Sequence, residues 1–130
     1  MNLPGQVRPC ILVVDDEAPM RDVVVEILED EGYAAASVAN GADALRYLQH
    51  TSDLPAVILL DLNMPIMSGW DFRLAQLNDP RLAAIPVVAF SAGATVQRQA
   101  HNINAAGYLP KPVEYMELVR TIAALCAADV

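Results

Sequence analysis

Apolar positions along the chain follow two alternating rhythms. Cys10 to Val14 is an unbroken apolar run that ends at Asp15-Asp16. Such runs predict strands buried on both faces, as in parallel sheets. From Pro19 the spacing becomes helical: Met20, Val23, Val24, Ile27 and Leu28 share one face, and Asp22, Glu26, Glu29 and Asp30 face outward. Gly32 stops this helix. Tyr33 to Val38 predicts a second, alanine-rich strand. Asn40-Gly41 is a turn signal, and Ala42 to Gln49 a short helix with Leu45 and Leu48 inward. Ala56 to Leu60 is another buried strand, closed by Asp61; Pro65 and Gly69 mark a loop. A helix with Trp70, Leu74 and Leu77 on one face follows, broken at Asp79-Pro80. Pro86 to Phe90 is the fourth strand, closed by Ser91. Thr95 to Ile103 predicts a polar helix with a thin apolar stripe. Gly107 to Pro110 is the fifth strand, before Lys111-Pro112. Val113 to Cys126 is the last helix, with Tyr115, Leu118, Val119, Ile122 and Cys126 inward.

Strands alternating with helices in this way predict an α/β fold: a five-stranded parallel sheet with helices on both faces. The 130 residues suit one domain. The expected organisation is a tail over 1–9, one domain over 10–127 and a tail over 128–130.

Composition narrows the function. Sixteen acids against 8 bases give a net charge of −8, the wrong sign for direct nucleic-acid binding or a polybasic membrane surface. No apolar run is long enough to span a membrane, and Met1 to Pro9 lacks a signal-peptide core. Cys10 and Cys126 have no metal-ligand spacing and are read as buried thiols. The expected compartment is the cytoplasm.

In open parallel sheets the ligand site lies beyond the carboxyl ends of the strands. The residues closing the strands here are Asp15 and Asp16, Asp61, Ser91 and Lys111, the only lysine in the chain. Polar residues end strands for ordinary reasons, but three carboxylates, a hydroxyl and the sole lysine form a specific set. Clustered carboxylates raise a pKa or bind a cation. Oxygen donors with room for water favour Mg²⁺ over Zn²⁺. A carboxylate nucleophile, a divalent cation, a lysine and a hydroxyl are the parts that receive a phosphoryl group. On the bland reading, Glu17 is a loop acid, His50 and His101 are surface or helix residues, and Trp70 and Met20 are core.

The segments Ile11–Glu17, Leu59–Pro65 with Gly69, Ile85–Ala92 and Gly107–Pro112 together resemble the receiver domains of two-component response regulators, in the family's order. The single-domain, chemotaxis-regulator-like members are the nearest pattern. The resemblance implies a flavodoxin-like sheet of order 2-1-3-4-5. It implies that Asp61 accepts a phosphoryl group from a sensor histidine kinase or a histidine phosphotransfer protein. It also implies Mg²⁺ held by the Asp16 and Asp61 carboxylates and the Asn63 backbone carbonyl, with Asp15 acting through water. Ser91 and Lys111 would contact the phosphoryl group, and Lys111-Pro112 would be cis. Ser91 and Tyr108 would move together as a switch, reshaping the face of helix four, strand five and helix five for a downstream protein target. Gly93 and Asn63 would flank the attacking-water path.

Two departures stand out. The stretch from Ser91 to Lys111 is slightly short for the family, and Asn104 stands where a glycine is common. Asparagine tolerates the left-handed backbone such a turn needs. Two other readings carry different expectations. A Mg²⁺-dependent small-molecule phosphatase would need a carboxylic acid where Asn63 stands. A phosphate-independent binding module would not need the acidic set.

Overall fold

The computed structural model describes residues 8–64, 66–92 and 96–128. In chain order the elements are β1 (Cys10–Val14), α1 (Ala18–Asp30), β2 (Ala34–Val38), α2 (Gly41–His50), β3 (Val57–Asp61), α3 (Gly69–Leu77), β4 (Val87–Ala92), α4 (Val96–Asn102), β5 (Gly107–Lys111) and α5 (Tyr115–Ala128). The strands form one sheet of order β2-β1-β3-β4-β5. Every pairing is parallel, with Ile11 opposite both Ala35 and Val57, Asp61 opposite Phe90, and Ala92 opposite Lys111. The predicted flavodoxin-like order is therefore present.

The pleat explains why the strands read as solid apolar runs. Leu12, Val14, Ile58, Leu60, Val87 and Ala89 face one core, with Ala44 and Leu48 of α2, Phe72 of α3 and Ala100 of α4. Their neighbours Ile11, Val13, Val57, Leu59, Val88 and Phe90 face the other, with Val24 and Leu28 of α1 and Leu118 and Ile122 of α5. A one-residue slip in any strand would exchange the two sets, so both cores hold the register.

Local signals set the helix ends. Asn40 is the N-cap of α2, its side chain accepting from Asp43 N–H, so the Asn40-Gly41 turn signal is a helix start. Ser68 caps α3 by accepting from Asp71 N–H, and Gly69 opens that helix rather than lying in a loop. Gly32, at φ 92°, follows α1. Asn104 adopts φ 55°, the left-handed turn expected of it, and the Lys111-Pro112 bond is cis. Pro65, Gly93 and Thr95 lie outside the described residues.

Several inward assignments need correction. Trp70 is exposed rather than core, and Val23 and Tyr115 also face solvent. Tyr115 Oη instead donates to Glu31 Oε1 at 2.5 Å, tying the start of α5 to the end of α1. Cys10 and Cys126 are half-buried. Met20 packs against the core as predicted, and His50 and His101 are exposed on helices.

The largest departure is α3. Its buried face carries Arg73 and Gln76, while Trp70, Leu74 and Leu77 share the outer face. Arg73 donates to Ile103 O at 3.0 Å, Asn104 O at 2.9 Å and Gln76 Oε1 at 2.8 Å. Gln76 Nε2 donates to Leu82 O and Ile85 O. Arg81, just beyond α3, donates to Leu48 O and Thr51 O at the end of α2. The α3 segment thus satisfies carbonyls at the carboxyl ends of both flanking helices, where backbone acceptors lack intrahelical partners.

Candidate functional site

The strand-closing residues meet on one rim. β1 delivers Asp15, fully buried, and the next residue, Asp16, is exposed. β3 delivers Asp61, also buried, because a fully apolar strand carries it to the edge of the core. One carboxylate oxygen from each of Asp15, Asp16 and Asp61 lies within 4.8 Å of the others. β4 contributes Ser91, fully buried, and β5 contributes Lys111.

Lys111 Nζ is the hub. It lies 2.8 Å from Asp15 Oδ2, 3.3 Å from Asp61 Oδ2 and 3.2 Å from Glu17 Oε1. It also sits 5.1 Å from the centre of the Phe90 ring. The Asp15 contact is the shortest of the three, an ion pair poorly aligned for a hydrogen bond, and no other donor among the described residues reaches buried Asp15 Oδ2. The other Asp15 oxygen accepts from Glu17 N–H at 2.8 Å. Arg21 donates to Asp15 O at 2.6 Å and steadies the β1 end.

Asp61 Oδ1 accepts from Asn63 N–H at 3.0 Å. The Asn63 side-chain amide donates to Ser91 Oγ at 3.0 Å, and Ser91 Oγ donates to Ala92 O at 3.3 Å. Gly69 lets the start of α3 pack against the back of this loop: a Cβ there would stand 2.8 Å from Leu62 Cα and 2.9 Å from Asp61 O.

The electrostatics are unbalanced toward negative. Burial pushes the Asp61 carboxyl up from 3.8 to about 6; Asn63 N–H and Lys111 oppose that shift, and the Asp15 charge adds to it. Burial alone would lower Lys111, but its contacts with Asp15, Asp61 and Glu17 outweigh burial and hold it above the ordinary lysine range. The rim therefore combines a buried carboxylate that resists ionisation, three further acids, one of them with a donor-poor oxygen, and a firmly charged ammonium. That set suits a divalent cation with hard oxygen ligands.

Asp15, Asp16, Asp61, Asn63, Ser91 and Lys111 converge here; Tyr108 does not, and Gly93 lies outside the described residues. Tyr108 lies on β5, opposite Ala89, with 43% of its surface exposed. It borders two surface clefts, of about 400 Å³ toward α5 and about 260 Å³ toward α4. Sequence reasoning missed two contributions. Glu17 is not merely a loop acid, since it shares Lys111, a contact across 94 residues. The Asn63 side chain, and not only its backbone, reaches Ser91. The run Asp15-Asp16-Glu17 was the available signal for the first; nothing local marks the second.

A doubly wound parallel sheet with this acid–lysine rim defines the receiver class of signalling domain. The family model described as response regulator receiver domain matches residues 11–123, and the chain belongs to that family. It is a receiver domain of two-component signal transduction. It is 34% identical over 122 residues to an uncharacterized 14.6 kDa protein of Leptolyngbya boryana, covering 91% of this chain and 90% of that protein. It is 36% identical over 120 residues to response regulator Rre1 of Synechocystis, covering 90% of this chain but 51% of Rre1. The chain thus spans about half the length of Rre1 and of the regulator SphR of Synechococcus elongatus, where the share is 48%. Among solved structures, the chemotaxis protein CheY4 of Vibrio cholerae superposes with TM-score 0.81 at 28% identity, covering 92% of this chain and 99% of CheY4. A receiver protein from Pseudomonas putida gives 0.82 at 26%, with 92% and 98% covered.

Proposed function

We propose that Asp61 is the phosphoacceptor, taking its phosphoryl group from the phosphohistidine of a sensor histidine kinase or a histidine phosphotransfer protein. The observation carrying this reading is the position of Asp61 Oδ2: buried, 3.3 Å from Lys111 Nζ and clustered with Asp15 and Asp16. The ionised carboxylate oxygen attacks phosphorus as the phosphorus–nitrogen bond breaks. The bonding electrons leave with the imidazole, and an aspartyl phosphate results. Lys111 turns from the carboxylates to a phosphoryl oxygen. Ser91 Oγ donates to another, released from Ala92 O, while Asn63 keeps the hydroxyl in place.

The donor-poor Asp15 Oδ2 and the raised Asp61 pKa fit a Mg²⁺ ion. Asp16, Asp61 and the Asn63 carbonyl would hold it, with Asp15 reaching it through water. When bound, it neutralises charge on the phosphoryl oxygens. On this reading the chain catalyses only its own phosphotransfer and autodephosphorylation. Asn63, where the phosphatase alternative needs a carboxylic acid, is an amide bonded to Ser91.

Phosphorylation would draw Ser91 inward and bring Tyr108 with it, changing the α4–β5–α5 face read by a downstream protein. Residues 10–127 would be the receiver unit, working in the cytoplasm; among the described residues no helix is long and apolar enough to cross a membrane. Incubation with Mg²⁺ and acetyl phosphate should add one phosphoryl mass. Asp61→Ala or a chelator should abolish it; an unchanged increment in the variant refutes the assignment.

A further inference from the structure

The outer face of α3 is built the wrong way round for a solitary domain. Helices packed on a sheet normally turn apolar side chains inward and charge outward. Here Arg73 and Gln76 occupy the inner face beside Phe72, and their hydrogen bonds to the α4–β5 turn and the chain entering β4 fix that orientation. The apolar residues are thereby committed to solvent. Trp70 is 38% exposed, Leu74 63% and Leu77 45%, at the i, i+4, i+7 spacing of a single stripe. Ile66, in the loop leading into α3, is 84% exposed and holds φ 73°, a left-handed backbone that a β-branched residue adopts only under strain.

Area and charge decide what fits this face. The three side chains of the stripe, each only partly exposed, cover well under the ~800 Å² per partner of a standard interface. That is small for a stable dimer of this chain and suits one helix laid along the stripe. Asp71 is the one charged side chain on the exposed face of α3, because Arg73 is turned inward. Two copies would bring a net charge of −8 against −8 and Asp71 toward Asp71. A helix edged with basic residues is attracted instead.

We propose that the outer face of α3 docks an amphipathic helix of another protein, apolar along one stripe and flanked by lysine or arginine. The Trp70–Leu74–Leu77 stripe shares no side chain with the phosphoacceptor rim, and its test needs no phosphorylation. Trp70, the single tryptophan, lies in the stripe and reports binding directly.

The test titrates a tryptophan-free Leu/Lys helical peptide of about 18 residues, long enough to hold helix on a surface, into the full chain. A saturable blue shift of Trp70 emission is expected. Leu74→Ser with Leu77→Ser should weaken binding at least about tenfold, as for lost interface anchors. Replacing the peptide's lysines with glutamates should weaken it similarly. Leu74→Gln alone serves as a milder second variant if the double one folds poorly, judged by circular dichroism. Absence of a saturable shift overturns the proposal, as does equal affinity for the variants or for the acidic peptide. A concentration-dependent doubling of mass in the native chain, lost in the Leu74 and Leu77 variants, also overturns it and assigns the face to a second copy.

Discussion

The buried polar clusters around Arg73 and at the strand-end rim differ in how completely their charge is answered. At Arg73 each guanidinium nitrogen donates to an acceptor: Ile103 O, Asn104 O and Gln76 Oε1. At the rim, Asp61 is buried with one backbone donor and a lysine shared among three acids, and Asp15 Oδ2 has that same lysine alone. The first arrangement is finished, and its consequence is a fixed position for α3 between α2 and α4. The second is incomplete, and its surplus negative charge suits a cation. Buried charge serves structure where partners close around it and chemistry where they do not.

The sharpest way to break this contrast is Asp61→Asn. Phosphoryl uptake from acetyl phosphate, followed by intact mass, should be lost entirely. The same change should make the metal-free protein more stable, by about 1–2 kcal/mol, less than full linkage because the site opens to solvent. Loss of stability instead would mean that Asp61 is a satisfied structural acid. Arg73→Ala should do the reverse. It orphans two backbone carbonyls and the Gln76 amide oxygen and opens a void, lowering stability by about 2–4 kcal/mol in urea unfolding. Phosphoryl uptake by the folded fraction should stay within about twofold, since Arg73 contacts no rim residue. A neutral result would show that water replaces the guanidinium.

The pH dependence sharpens the rim alone. Asp61 titrates at about 6 in the folded chain against 3.8 unfolded. The folded state therefore holds the extra proton between those values. Rising pH removes stability from this group through that window, and the loss is complete above it. Thermal melts without metal, comparing native chain with Asp61→Asn, should diverge as pH rises from about 4 to 7. Added Mg²⁺ should close the gap by favouring the ionised form. Curves that stay parallel throughout would remove the raised pKa from the account. The smallest effect is expected from Glu17→Gln. Its side chain is largely exposed, so stability should change by less than about 0.5 kcal/mol. Phosphoryl uptake should rise modestly, because Lys111 loses one competitor for the incoming group; a fall in rate would make Glu17 a positioning residue instead.

Much of this is legible in the sequence. Strands buried on both faces are continuous apolar runs, so β1, β3 and β4 were read almost to the residue, and the rim followed because parallel strands carry their closing residues to one edge. The helices were less legible. Periodicity shows which side chains share a face, not which way the face points. Trp70, Leu74 and Leu77 do share one, but it is the outer one, because the reach of Arg73 and Gln76 finds carbonyls that periodicity cannot see.

By itself, then, the order of residues determined the sheet, its two-sided core and the identities of the acids, the hydroxyl and the lysine at its edge, since those depend on local hydrophobicity and strand-end position. Only the folded chain decided how they are partnered: Glu17 on Lys111, Asn63 on Ser91, Tyr115 on Glu31 and α3 turned by its arginine. These are hydrogen bonds and ion pairs between segments far apart along the chain or set by side-chain reach. Their strength depends on burial and direction, which exist only once the helices are seated.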